Sequence, residues 1–198
     1  MTSEHDQDWL IVSASTAGAA GTLRVQVWRK LRSLGAIYLQ QSVCLLPARD
    51  EVVRQVWRLT DRIQHQGGTA RVLRMRFSDP AEEHAIVDEF NAARDAEYAE
   101  VLERIPALHQ ELTQERARGR ATYAEVEESE ADLERFRGWL AKIAARDYFD
   151  APGGPGARAA VDEAGADLAA FEEAALHAEA PDTTSAQKLQ RLRAVEQP

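Results

Sequence analysis

Hydrophobic positions along this chain follow two different periods. Up to residue 77 they come in short runs and alternations, and beyond residue 80 they recur every three or four residues. The first run, Trp9-Leu10-Ile11-Val12, is aromatic and β-branched and predicts a buried strand. Residues 13–21 are small and glycine-containing, hence a loop. Thr22 is placed to cap a helix running to Leu34. On it Val27, Leu31 and Leu34 share a face, flanked by Leu23 and Trp28, and Gly35 ends it. Two short strands, 36–39 and 42–46, flank a Gln40-Gln41 turn, and Pro47 stops the second. Asp50 can cap a second helix reaching Gln66, with Val52, Val56, Leu59 and Ile63 on one stripe, closed by Gly67-Gly68. In 69–77, Val72, Leu73, Met75 and Phe77 sit among Arg71, Arg74 and Arg76, which predicts a strand with one apolar and one basic face. The order β-α-β-β-α-β within one short stretch is the split βαβ, ferredoxin-like arrangement.

After Asp79-Pro80 the pattern turns helical. Ser78 or Asp79 can cap, Pro80 suits the first helical position, and Glu82-Glu83 favour the first turn. Ile86 and Phe90 are followed by Tyr98, Val101, Ile105, Leu108 and Leu112, whose spacing alternates three and four as in a heptad seam. Pro106 predicts a kink or break in this helix, and Gly119 ends the segment. Thr122-Tyr123-Ala124-Glu125 is a capping box opening a helix with Val126, Leu133, Phe136, Leu140 and Ile143 inward, so the two helices form an antiparallel hairpin. Residues 151–156, rich in Pro and Gly, read as a loop or hinge. A third helix is expected over 158–178 around Val161, Leu168 and Phe171, followed by a polar tail or short helix over 180–198. The expected fold is α+β: a ferredoxin-like head over 1–78, then a helical hairpin or three-helix bundle over 79–179.

Charge sharpens this division. The formal net charge is -9, which alone argues against non-specific nucleic-acid binding. Residues 1–77, however, hold eleven Lys/Arg against six Asp/Glu, a net of +5. The remainder holds thirteen against twenty-seven, a net of -14. A basic head on an acidic body points either to a polyanionic partner or to docking of head on body, in one chain or between two. The single cysteine, Cys44, lies in the apolar run Val43-Cys44-Leu45-Leu46 and is expected to be a buried, inert thiol. The acidic start Met1-Thr2-Ser3-Glu4-His5-Asp6 is unlike a signal peptide, and no apolar run could span a bilayer, so a cytoplasmic protein without membrane contact is expected.

Chemistry-bearing patterns are sparse. His5, His65, His84, His109 and His177 offer no pair at metal-ligand spacing, so no metal or other cofactor is expected. Gly18 and Gly21 follow the first strand and precede a helix, but the full dinucleotide fingerprint is missing. No nucleophile–base set can be argued, and no catalytic residue is assigned. Two clusters remain. Arg24, Arg29, Lys30, Arg32, Arg71, Arg74 and Arg76 could engage DNA phosphates if they share a face. Arg94, Asp95 and Tyr98 on one helix, with Arg146 and Asp147 at the end of the next, could form an ion-pair network or an oxyanion site.

The run Arg24-Val25-Gln26-Val27-Trp28-Arg29-Lys30-Leu31-Arg32-Ser33-Leu34-Gly35-Ala36, followed by Tyr38-Leu39, Ser42-Val43 and Leu46-Pro47, resembles the N-terminal domain of the chromate-resistance regulator family ChrB. Phe90-Asn91-Ala92-Ala93-Arg94-Asp95-Ala96-Glu97-Tyr98 and Ala145-Arg146-Asp147-Tyr148-Phe149 extend that resemblance over about residues 9 to 178. The chain resembles, more loosely, the C-terminal domain of PaaX-type repressors and the ferredoxin-like nuclease subunits of CRISPR adaptation. The resemblance implies a regulator of a chromate-efflux operon that acts through DNA. The heptad helices suggest a dimer, and the resemblance implies a partner supplying the further C-terminal domain of full-length family members. Where the related nucleases carry an acidic metal ligand, this chain reads Ser13-Ala14-Ser15, so metal-dependent nuclease activity is not expected. The alternatives are an interaction module without DNA affinity, and an oxyanion (chromate) sensor or enzyme using Arg94, Tyr98 and Arg146.

Overall fold

The computed structural model describes residues 7–19, 21–118 and 122–179; the stop at Gly119 and the tail over 180–198 lie outside them. The elements are β1 (Trp9–Ser15), α1 (Gly21–Ser33), β2 (Ile37–Gln40), β3 (Val43–Pro47), α2 (Asp50–His65), β4 (Thr69–Met75), α3 (Pro80–Ala117), α4 (Tyr123–Ala144) and α5 (Gly153–Glu179). The sheet runs β2-β3-β1-β4 with every neighbouring pair antiparallel, which is the ferredoxin-like order. The described residues form two compact units. One runs to Glu100 and takes in Leu140–Pro155, and the other holds Val101–Trp139 and the chain from Gly156.

In the first unit both faces of the sheet are covered. Strand alternation sends Leu10, Val12, Cys44 and Leu46 to one face, where they meet Leu23, Val27 and Leu31 of α1 and Val52, Val56, Leu59 and Ile63 of α2. The other face carries Trp9 and Leu45, packed by Phe90, Ile86 and Val87 of α3 and by Phe77 and Phe149. Trp9 is the centre of this second layer. Its ring stacks on Phe149 at 5.5 Å and meets Phe77 edge-on at 5.6 Å, with Phe90 at 5.8 Å. Its indole N–H is buried and donates to Glu83 Oε1 at 2.7 Å, so no polar atom is stranded. A second anchor is Tyr148, whose hydroxyl donates to the Leu34 carbonyl at 2.8 Å, while Arg49 lies over its ring at 5.5 Å.

Gly35 ends α1 with φ of +73°, the left-handed conformation a helix C-terminus favours. Space matters there too, since a Cβ at this position would stand 2.7 Å from Arg94 Nη1 and 3.1 Å from Arg146 Cβ.

The second unit is a three-helix bundle. Arg104 of α3 lies over Trp139 of α4 at 5.3 Å, and the two helices share a cavity lined by Arg104, Leu108 and Glu111 from one and Asp132, Phe136 and Trp139 from the other. Buried Val101, Ile105, Leu108, Leu112, Val126, Leu133, Val161, Leu168 and Phe171 form its core. The Glu125 N–H meets Thr122 Oγ1 at 3.4 Å, in the sense of the capping box.

Three expectations are corrected. First, β4 does not segregate its charges. Ala70 and Val72 pack against the α1–α2 side and Met75 against the other, so alternation puts Arg74 with Val72 and Arg71 with Leu73 and Met75. Second, of the kink or break expected at Pro106, the break does not occur, and α3 runs through it as one helix. Pro106 and Leu102 are both exposed, so the Leu102 carbonyl that loses its partner faces water while Ile105 and Leu108 hold the buried side. Third, the Pro/Gly segment is not a loop throughout: α5 begins at Gly153, five residues before the expected start. First-turn N–H groups need no intrahelical acceptor, so proline is tolerated there, and the Gly153 N–H is taken by Asp95 Oδ1 at 2.7 Å.

Trp9→Ala should cost about 3–5 kcal/mol of stability, read by urea denaturation, because it empties the centre of the second layer. Cys44 is buried, and burial pushes its thiol up to about 12. It should therefore resist thiol-specific reagents at mildly alkaline pH and react only once denaturant opens the fold.

Candidate functional site

Because α1 buries Leu23, Val27 and Leu31, the remaining positions of that helix face outward. Arg24, Arg29 and Arg32 are exposed and Lys30 is half-buried. On α2 the buried stripe of Val52, Val56, Leu59 and Ile63 leaves Arg54, Arg58 and Arg62 exposed. The two helices pack on each other, and between them lies a cleft of about 190 Å³ lined by Lys30, Gln55, Arg58, Leu59 and Arg62. No carboxylate lines it. Lys30 Nζ donates to Gln55 Oε1. Among the described residues, no ion pair ties Arg24, Arg29, Lys30, Arg58 or Arg62 to a carboxylate. Arg54 is different, pairing with Glu51 at 2.5 Å.

Arg71 and Arg74 of β4, and Arg76 just after it, are not part of this surface. Arg74 and Arg76 reach Asp8 at 3.3 and 2.5 Å, and the Arg76 hydrogen bond is the main cause holding the Asp8 carboxyl below its usual range. α2 packs on β4 and β1 while α1 packs on α2, so the β4 arginines and those of α1 flank opposite sides of α2. Arg71 projects from the other face of the sheet. The seven basic residues singled out from sequence thus divide. Lys30 lines the cleft with Arg58 and Arg62, which the sequence reading passed over; Arg24, Arg29 and Arg32 are exposed elsewhere on α1, and Arg71, Arg74 and Arg76, on β4 or just after it, stand apart. The signal for the missed pair was there: Arg54, Arg58 and Arg62 recur every four residues, off the apolar stripe.

The second cluster is brought together within the first unit. Glu97 is its hub, one turn from Arg94. Its Oε1 accepts from Arg94 Nη2 at 2.9 Å and its Oε2 from Arg146 Nη2. Arg146 Nη1 donates to the Lys142 carbonyl at 3.1 Å, and Arg94 Nη1 approaches the Arg146 carbonyl at 3.5 Å. Tyr98 donates to Asp147 Oδ2 at 2.9 Å, and Asp147 Oδ1 takes the Ala151 N–H at 3.0 Å. Asp95 holds the Gly153 N–H. The place an oxyanion would take between Arg94 and Arg146 holds the Glu97 carboxylate. The Nε atoms of both arginines are buried without a hydrogen-bond partner. The geometry fixes the α4–α5 turn against the first half of α3.

Elsewhere, His84 Nδ1 lies 2.6 Å from the Pro80 carbonyl and His109 Nδ1 2.6 Å from Asp167 Oδ2. Among the described residues no group of histidine, cysteine and carboxylate side chains could hold a metal ion, and no helix is long and apolar enough to cross a membrane.

The chain is thus an α+β protein with a ferredoxin-like sheet, its helical layer carrying a positively charged cleft that no carboxylate lines. Its sequence matches the family model described as Protein ChrB, N-terminal, over residues 24–182, and the chain belongs to that family. Membership associates it with chromate resistance. No curated protein matches the chain. The matched region opens at Arg24 and contains both clusters.

Glu97→Gln should leave the buried Arg94 guanidinium without its counter-charge. The expected loss is about 2–4 kcal/mol by chemical denaturation, less than for a fully enclosed pair because the Glu97 side chain is 26% exposed. Tyr98→Phe should cost about 1–2 kcal/mol through the unpaired Asp147 oxygen.

Proposed function

We propose that this chain is a non-enzymatic, cytoplasmic regulatory protein of chromate resistance that binds DNA through the outer surface of α1 and α2. The observation that carries the reading is the cleft between those helices, which gathers Lys30, Arg58 and Arg62 with no carboxylate among them. On a chain of net charge -9, a local surface of one sign is what a polyanion can use. Phosphate contacts by such residues release counterions, so affinity falls with salt and is largely indifferent to sequence. Arg24, Arg29 and Arg32 add further exposed positive charge elsewhere on α1. A dimer, or a partner bringing a sensing domain, completes the reading.

Three phosphate contacts give a log–log salt slope of about -2.7, a loss of roughly 40-fold between about 50 and 200 mM salt. Anisotropy titrations with labelled duplex DNA should show at least this dependence. The combined change Lys30→Ala, Arg58→Ala, Arg62→Ala should weaken binding to every sequence and flatten the slope by about that amount. Arg74→Ala with Arg76→Ala should leave affinity within about twofold, since both are already engaged by Asp8, away from the cleft. A triple variant that binds like the parent removes the α1–α2 surface from the account. No duplex binding at low salt, together with self-association by light scattering, leaves the interaction-module reading instead.

A further inference from the structure

A larger cavity, of about 650 Å³, opens where the end of β1 meets the start of α1 and the β2–β3 turn. Its size is in the range of small-ligand sites, about 300–1,000 Å³. Its walls are aromatic. Trp28 comes from α1 and is 46% exposed, and Tyr38 comes from β2 and is 37% exposed. Val25, also exposed, adds apolar surface beside them. This contrasts with Trp9 and Phe90, which the same unit buries almost completely. Register explains the inward placement of Tyr38: it pairs with Cys44, whose side chain belongs to the α1–α2 side of the sheet. The rim is polar but contains no carboxylate, with Ser15, Thr16 and Ser42 hydroxyls and the Gln41 amide. Arg24 lines it and has no ion-pair partner among the described residues. Arg24, Trp28 and Arg32 lie four residues apart on one stripe of α1, and Arg32 sits over the Trp28 ring at 5.2 Å.

A planar ring between two aromatic side chains, a negative group on a free guanidinium, and mixed donors and acceptors around the edge describe one ligand chemistry. We propose that this cavity binds a nucleotide. Its base stacks on Trp28 and Tyr38, its phosphate meets Arg24, and the Ser15, Gln41 and Ser42 side chains contact its edges. The nucleotide comes either free or as an unstacked residue of a nucleic-acid strand. The second source rests on the DNA-binding reading above, because the helix that lines the cavity also carries Arg29 and Lys30.

The test uses the full chain. In one arm, mononucleotides are titrated while tryptophan fluorescence is followed. In the other, a labelled single strand and the duplex of the same sequence are compared by anisotropy. Mononucleotides should quench the fluorescence saturably. Trp28→Ala should abolish most of the quench, whereas Trp57→Ala, exposed on α2 outside the cavity, should retain it. Arg24→Ala should weaken nucleoside monophosphates at least fivefold and nucleosides little. If a strand is the source, the single strand binds at least tenfold tighter than the duplex, and Trp28→Ala removes that preference without changing duplex affinity. Quenching by mononucleotides without a single-strand preference supports the site with a free nucleotide as its ligand. No Trp28-dependent response in either arm overturns the proposal, and circular dichroism establishes that the variants are folded. Duplex binding that depends on Lys30, Arg58 and Arg62 stands or falls separately, so the two failures are distinguishable.

Discussion

A four-stranded sheet has two apolar faces, and this fold depends on covering the second one. The residue that enforces this is Trp9. A tryptophan at the centre of an open sheet face would leave a large apolar area in water, and its N–H needs a partner once covered. Phe77, Phe90 and Phe149 supply the cover and Glu83 supplies the acceptor. The first half of α3 and the segment after α4 are therefore parts of the sheet unit, although they lie beyond its last strand in sequence.

That constraint decides what the unit can present to a partner. With one sheet face taken by α3 and the aromatic segment, and the other by α1 and α2, the broad surface left is the outside of the two helices. Their buried stripes hold no charged residue, so their charges are turned outward, and the outward set is dominated by arginine and lysine. The Glu97 network serves the same end from the other side. Two arginines and two aspartates tie residues 146–153 to α3, which holds Tyr148 and Phe149 where the sheet needs them. Buried charge here secures a turn, and the positive cleft that no carboxylate lines lies between α1 and α2.

Most of the architecture was legible in the sequence because its signals are local. The four strands, the helices and the stop at Gly35 follow from period, turn chemistry and caps, and the α+β, ferredoxin-like reading agrees with the sheet order. What was not legible depended on distant partners. Gly153 and Pro155 read as loop residues until Asp95, 58 positions away from Gly153, is known to accept the first-turn N–H. Pro106 reads as a breaker until the exposure of Leu102 is known. On β4 the adjacent pair Val72-Leu73 cannot point to one side of a sheet, so a single apolar face was not available. At the candidate site, the α1 residues were found by their charge. Arg58 and Arg62 were overlooked although their spacing was visible. Glu97 was overlooked because an acidic residue one turn from an arginine usually marks a solvated helix surface.

The central claim is that the outer surface of α1 and α2 is where this ChrB-family chain meets its partner. Backbone amide chemical-shift mapping of the full chain, with and without a short DNA duplex at low salt, addresses it directly. The account predicts shifts concentrated at 24–32 and 54–62, with β4 and the α3–α5 bundle nearly silent. Shifts centred on β4 or on the bundle, or none at saturating DNA, would contradict it.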